Sequence, residues 1–149
     1  MTNIRVTSEF RFEMAHSLWN YDGPCKNIHG HSYKLYVTVA GKPLKNKSHP
    51  KNGMVIDFSE LKKIIEENVI NHFDHSIIIS SEAGKPEIKQ ASKLFDKFYI
   101  VDYQPTCENL LLHITEIIKS KLPGKIKLIS VKLRETDTSY AEWYASDNR

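Results

Sequence analysis

Apolar and polar residues alternate most strictly in two early stretches of the chain. In the first, Ile4, Val6, Phe10, Phe12, Met14 and His16 share one parity, while Arg5, Thr7, Glu9, Arg11 and Glu13 share the other. In the second, Tyr33, Leu35, Val37 and Val39 oppose Lys34, Tyr36 and Thr38. A period of two marks a half-buried strand, because successive side chains leave opposite faces of the pleat. The segment between them carries Gly23-Pro24 and reads as a loop, so the two strands are expected to pair antiparallel. His16 ends the apolar face of the first strand. His29 and His31 lie two apart and open the apolar face of the second, if that strand begins by His29. Since the end of one strand then lies beside the start of the other, the three imidazoles are expected to converge.

The period then changes. Leu61, Ile64, Ile65, Val69 and His72 form a helical stripe with Lys62, Lys63, Glu66 and Glu67 facing water, which predicts an amphipathic helix over residues 59–72. Asp57 or Ser59 can cap it. Asp74-His75 follows at the helix exit, before the short apolar segment Ile77-Ile78-Ile79. Residues 80–104 contain a Gly84-Lys85-Pro86 break, a short helix expected near residues 88–96 and the apolar run 98–101, read as an edge strand. Thr106 is the expected N-cap of a second long helix with Glu108 in its first turn, a stripe of Leu111, Ile114, Ile118 and Leu122, and a stop at Pro123-Gly124. Leu110, Leu112 and Ile117 widen that stripe. A strand over residues 126–134 places Ile129, Val131 and Leu133 on its apolar face, with Glu135 continuing that parity. Thr136-Asp137-Thr138-Ser139 supplies a turn, and residues 140–145 return. The sum is an α+β chain: a four-stranded antiparallel sheet with two helices on one face.

Composition fits that picture and narrows the function. The 149 residues, 40% hydrophobic and 26% charged, amount to a single globular domain, residues 1–149. Nothing in the sequence approaches a membrane span or a signal-peptide core, so a cytoplasmic protein is expected. The net charge of +3 comes from dispersed lysines, too scattered for a nucleic-acid groove. Two cysteines, Cys25 and Cys107, in no C-x-x-C pair, exclude a disulfide framework and a thiol-rich zinc finger.

Each candidate has an ordinary alternative. A lone histidine on an apolar face is more often a satisfied core residue than a ligand, but three on one hairpin face reverse those odds and suit zinc with an open position. Asp74-His75 alone would read as a helix-end feature favoured by the dipole. Cys25, four residues before His29, is either a reactive thiol beside the metal or a fourth ligand of a closed structural site. Cys107 reads as a buried first-turn residue.

Six motifs in order carry a resemblance over nearly the whole chain: Phe12-Glu13-Met14-Ala15-His16; Cys25 with His29-Gly30-His31-Ser32-Tyr33; Gly53-Met54-Val55-Ile56-Asp57-Phe58; Asp74-His75; Pro105-Thr106 with Glu108-Asn109-Leu110; and Glu135-Thr136 with Thr138-Ser139 and Ala141-Glu142. Together they resemble the 6-pyruvoyltetrahydropterin synthase and 6-carboxytetrahydropterin synthase family. The resemblance implies the tunnelling fold, in which trimers close a barrel and stack into a homohexamer with sites between subunits. It implies Zn²⁺ on His16, His29 and His31, a catalytic set of Cys25, Asp74 and His75, and a pterin anchored by Glu135 with the Thr106 and Glu108 region. The short Cys25-to-His29 spacing resembles the 6-carboxytetrahydropterin branch that feeds queuosine biosynthesis. Its implied substrate is 7,8-dihydroneopterin triphosphate. The runner-up is the 6-pyruvoyl enzyme, and a non-catalytic zinc-stabilised binding module is the reading from a different class.

Overall fold

A computed structural model describes residues 2–149. Strand β1 (Ile4–His16) pairs antiparallel with β2 (His29–Gly41) without a break, from Ile4 opposite Gly41 to His16 opposite His29. The expected hairpin is therefore present in the register that its alternation dictates.

The next segment is one helical rod in three pieces: α1 (Phe58–Ile65), a π-helical turn (Glu66–Ile70) and α2 (Asn71–Phe73). Asp57 caps it, its carboxylate accepting from the Ser59 N–H at 2.9 Å. The π turn has a sequence cause. Leu61, Ile65, Val69 and Phe73, all buried, repeat strictly every four residues. An α-helix would turn such a series by about 40° per step, and the wider turn keeps all four on the sheet.

Beyond it lie β3 (Ser76–Ser80), the short helix α3 (Pro86–Ser92) and β4 (Phe98–Val101), then α4 (Cys107–Lys121), β5 (Lys127–Arg134) and β6 (Tyr140–Tyr144). The sheet has six strands in the order β4-β3-β1-β2-β5-β6. The expected four-stranded antiparallel sheet is thus corrected: β3 joins β1 in parallel and β4 joins β3 in parallel. A parallel pair needs a crossover, and the short helix expected in this segment, α3, lies in that connection beside the two long helices. It spans residues 86–92 instead of 88–96, with Pro86 at a first-turn position that tolerates it. Short parallel strands carry no alternation, so Ile77-Ile78-Ile79 gave no sign of pairing direction.

One face of the sheet meets the helices. Phe10, Phe12, Met14, Tyr33, Leu35, Val37, Val131 and Leu133 pack there with Leu61, Ile65, Val69, Phe73, Leu110, Leu111, Ile114 and Ile118. The β5 face departs from its expected parity. Thr38 opposes Ser130 while Val39 opposes Leu128, so Ile129 is the extra residue of a bulge, and Leu128 packs on the core in its place. Leu110 is fully buried, yet Leu112 stays 51% exposed, so the wide apolar arc of α4 is not covered within one chain.

The core centre sets a stability expectation. Leu35, fully buried, should cost about 2–5 kcal/mol when cut to Ala. Leu94→Ala, at a residue 77% exposed, should change stability by about 0.5 kcal/mol or less. Urea unfolding of the two variants checks the contrast, and equal losses would contradict the packing described.

Candidate active site

The β1–β2 register sets His16 directly opposite His29, with His31 one same-face step further along β2. One ligand atom from each of the three lies within 4.8 Å of the others. His16 is 2% exposed; its Nδ1–H donates to the Pro105 carbonyl at 2.6 Å. His29 Nδ1–H donates to the Asn27 carbonyl at 2.8 Å. A carbonyl can only accept, so both rings carry their proton on Nδ1 and both Nε2 atoms present lone pairs. Those two Nε2 atoms stand 3.1 Å apart, an arrangement that repels unless a cation lies beside them. His31 Nε2 is buried without a hydrogen bond; Glu135 Oε1 approaches to 3.3 Å, at an angle that makes no bond.

Such a donor set fits a zinc ion. Two nitrogens at about 2.0–2.1 Å from a tetrahedral metal sit about 3.3 Å apart, and carbonyl partners on the outer ring nitrogens are the usual way of fixing ligand tautomers. Burial lowers the His16 pKa to about 4; the Pro105 carbonyl opposes this and the neighbouring imidazoles add to it. His31 is lowered as well, first by burial, against the pull of Glu135. Neutral imidazole is the ligating form, and the lowering at His16 and His31 favours it.

Beside the cluster a cavity of about 370 Å³ is lined by His16, Cys25, Thr106, Cys107, Glu108 and Glu135, with Leu18, Tyr21, Ser139, Tyr140 and Ala141. Five of the residues singled out in the sequence therefore share one cleft. Cys25 sits in a 3-10 turn (Pro24–Lys26) of the loop between β1 and β2, and its carbonyl accepts from the Leu18 N–H at 2.8 Å. It is not among the three clustered residues, which speaks for a separate thiol over a fourth ligand. Thr106 is the N-cap of α4, its hydroxyl accepting from the Asn109 N–H. Glu135 follows β5, where a turn closes by its N–H donating to the Ser139 carbonyl.

Cys107, expected as a packing residue, lines the same cleft. Burial first, then Glu135, pushes its thiol up to about 12, and Sγ–H donates to the Leu133 carbonyl at 3.4 Å. It is held protonated. Its place at the first turn of α4, one residue after the cap, was the only signal for it.

Asp74 and His75 form a pair, but outside this cleft. His75 adopts a left-handed backbone, φ 60°, so that its Nδ1 comes within 3.1 Å of Asp74 Oδ2 despite their adjacency. Asp74 Oδ1 accepts from the Glu13 N–H at 2.8 Å. Burial would raise the Asp74 pKa, yet the Glu13 bond and His75 outweigh it and hold the carboxyl low. The His75 side chain is 77% exposed.

Solved structures share this arrangement of strands and helices. A Caenorhabditis elegans 6-pyruvoyl tetrahydropterin synthase superposes with a TM-score of 0.69 over 97% of each chain at 24% identity. An uncharacterized Wolinella succinogenes protein, WS1659, reaches 0.72 over 97% of this chain and 99% of its own at 23% identity. The architecture is thus that of the pterin synthases. The 6-pyruvoyl tetrahydropterin synthase model matches residues 5–146, and the chain belongs to that family. It is 36% identical over 142 residues to a protein of Haemophilus influenzae named 6-carboxy-5,6,7,8-tetrahydropterin synthase, covering 94% of this chain and 98% of that one. The protein of the same name from Rickettsia bellii is 33% identical over 143 residues, covering 93% and 99%. The chain is accordingly a lyase-type enzyme of the pterin synthase family.

If the imidazoles are metal ligands, His29→Ala and His31→Ala should each lose most of the bound zinc, while circular dichroism stays that of the parent. Metal analysis after dialysis checks this. Full zinc in both variants would remove the assignment.

Proposed function

We propose that the protein is a zinc-dependent lyase acting on 7,8-dihydroneopterin triphosphate. With one water consumed, it would yield 6-carboxy-5,6,7,8-tetrahydropterin, acetaldehyde and triphosphate, a step serving queuosine biosynthesis in the cytoplasm. The observation that carries the reading is the single cleft that joins the His16 cluster to Cys25, Thr106, Glu108 and Glu135. The names of the Haemophilus and Rickettsia relatives support it.

His16, His29 and His31 would hold Zn²⁺, which when bound polarises hydroxyl oxygens on the substrate side chain and stabilises charge that develops beside them. Cys25 would take the proton from the side-chain carbon next to a hydroxyl, as the thiol of the cleft that, among the described residues, is not tied to a carbonyl. Cys107, held protonated, cannot compete for that role. Glu135 would anchor the pterin through two parallel N–H···O bonds to its guanidine-like edge, with Thr106 and Glu108 flanking it.

Asp74 and His75 complete the proposed catalytic set, His75 exchanging the second proton and Asp74 holding its Nδ1–H. Because the pair lies outside the cleft of its own chain, it would serve the cleft of a neighbour in a homohexamer of stacked trimers. The exposed Leu112 and the edge strands β4 and β6 leave surface for such contacts. A 6-pyruvoyl synthase would use the same residues and eliminate triphosphate without releasing a two-carbon fragment.

Incubation with dihydroneopterin triphosphate and mass spectrometry of the product tests the reading: 6-carboxytetrahydropterin supports it, and 6-pyruvoyltetrahydropterin or no turnover overturns it. Cys25→Ala should keep zinc yet lose about 10²–10⁴ in turnover, the usual contribution of one positioned base. Cys107→Ala should cost a few-fold at most. Parental turnover by Cys25→Ala would remove the thiol from the mechanism.

A further inference from the structure

The loop that carries Cys25, residues 17–28, has little to hold it. Its own hydrogen bonds are local: Leu18 N–H to the Cys25 carbonyl, Tyr21 N–H to Leu18, Lys26 N–H to Gly23 and Asn27 N–H to Pro24. Three of its large side chains, Trp19 at 41%, Tyr21 at 45% and Ile28 at 60%, are exposed and add little packing. Asn20 takes a left-handed backbone, φ 58°, an uncommon conformation that needs support from its surroundings.

That support comes from one side chain 85 positions away. Gln104 Oε1 accepts from the Trp19 N–H at 3.0 Å, and Gln104 Nε2–H donates to the Trp19 carbonyl at 2.8 Å. Both halves of one amide thus close on both polar groups of one residue. Among the described residues these are the only hydrogen bonds that reach the loop from beyond the hairpin. Gln104 is itself anchored: its carbonyl accepts from Asn109 Nδ2–H at 3.0 Å and from the Thr106 N–H at 2.8 Å. The next residue, Pro105, supplies the carbonyl that fixes His16, and Thr106 caps α4. One short segment therefore holds the histidine cluster by its backbone and the cysteine loop by its side chain.

We infer that Gln104 is a positioning residue: its amide clasps Trp19 and sets the distance between the Cys25 loop and the histidine-bearing cleft. It does not line the cleft, so it would act through the loop. Only the activity part of this inference rests on the proposed reaction.

Gln104→Met tests it, since Met keeps the length and most of the volume and removes both hydrogen bonds. The expected result is full zinc content, amide hydrogen exchange in residues 17–28 faster by about tenfold or more, and exchange in the core strands unchanged. Turnover of dihydroneopterin triphosphate should fall about tenfold in kcat with KM within about threefold, because a displaced base affects the proton transfer more than binding. Gln104→Glu is the second variant. It keeps an acceptor for the Trp19 N–H but sets a carboxylate oxygen against the Trp19 carbonyl, so it should resemble the Met variant and not the parent. Loop exchange equal to the parent's in both variants overturns the clasp, whatever the activity; faster exchange with an unchanged kcat overturns its positioning role. Exchange is read without substrate, so a parent that turns nothing over would count against the proposed reaction alone.

Discussion

The structure depends first on the register between β1 and β2. Side chains on a strand alternate with a period of two, so a slip of one residue would send His29 and His31 to the opposite face from His16. What forbids the slip is the burial beneath. Phe10, Phe12, Met14, Tyr33, Leu35 and Val37 continue the histidine faces of the two strands into the core, and a slip would expose one strand's whole set. Each such side chain is worth about 1.5–3 kcal/mol in burial, so the energy that fixes the imidazoles comes from the apolar rows next to them and not from the imidazoles themselves.

The histidine cluster runs the other way energetically. Two Nε2 lone pairs at 3.1 Å and a buried Nε2 without a hydrogen bond are polar groups that a bound cation would satisfy together. Locking Nδ1–H onto the Pro105 and Asn27 carbonyls removes the escape of a tautomer change, because a proton moved to Nε2 would leave an Nδ1 lone pair facing a carbonyl oxygen. A cation that binds this arrangement and not the unfolded chain would stabilise the fold by mass action. The cluster lies at the end of the hairpin, where β1 and β2 stop pairing, and the continuous core runs on below it.

Much of this could be read from the sequence because alternation over thirteen-residue strands is a strong local signal. The hairpin, the three converging imidazoles, the Asp57 and Thr106 caps and the two long helices all follow from periods and caps. What could not be read depends on partners remote in sequence. The Ile129 bulge shifts the parity of β5 only where it meets Thr38 and Val39. The parallel placement of β3 depends on Met14 opposing Ser76, and three consecutive isoleucines have no orientation of their own. The hydrogen bonds from His16 to Pro105 and from Gln104 to Trp19 join segments that no pattern connects. Asp74 and His75 were legible as a pair of residues but not as a pair of side chains, because a left-handed histidine is not written in any periodicity.

The placement of these groups bears on how the proposed chemistry would be divided. Within one chain the cleft borders the three-histidine cluster through His16 and holds two thiols, Cys25 and the protonated Cys107, and two carboxylates, with no other histidine in its lining among the described residues. Proton exchange at two carbons needs two groups able to take and return a proton. Cys25 can be one; Cys107, pushed up to about 12, cannot be the other near neutral pH. The Asp74–His75 pair has the right chemistry, since a carboxylate held low by the Glu13 N–H fixes the imidazole tautomer, but its imidazole faces solvent in the isolated chain. Under the proposed reaction, an exposed but oriented histidine is what a chain would present to a neighbour's cleft. The left-handed turn at His75 would then be backbone strain held for a site that a single copy of the chain does not complete.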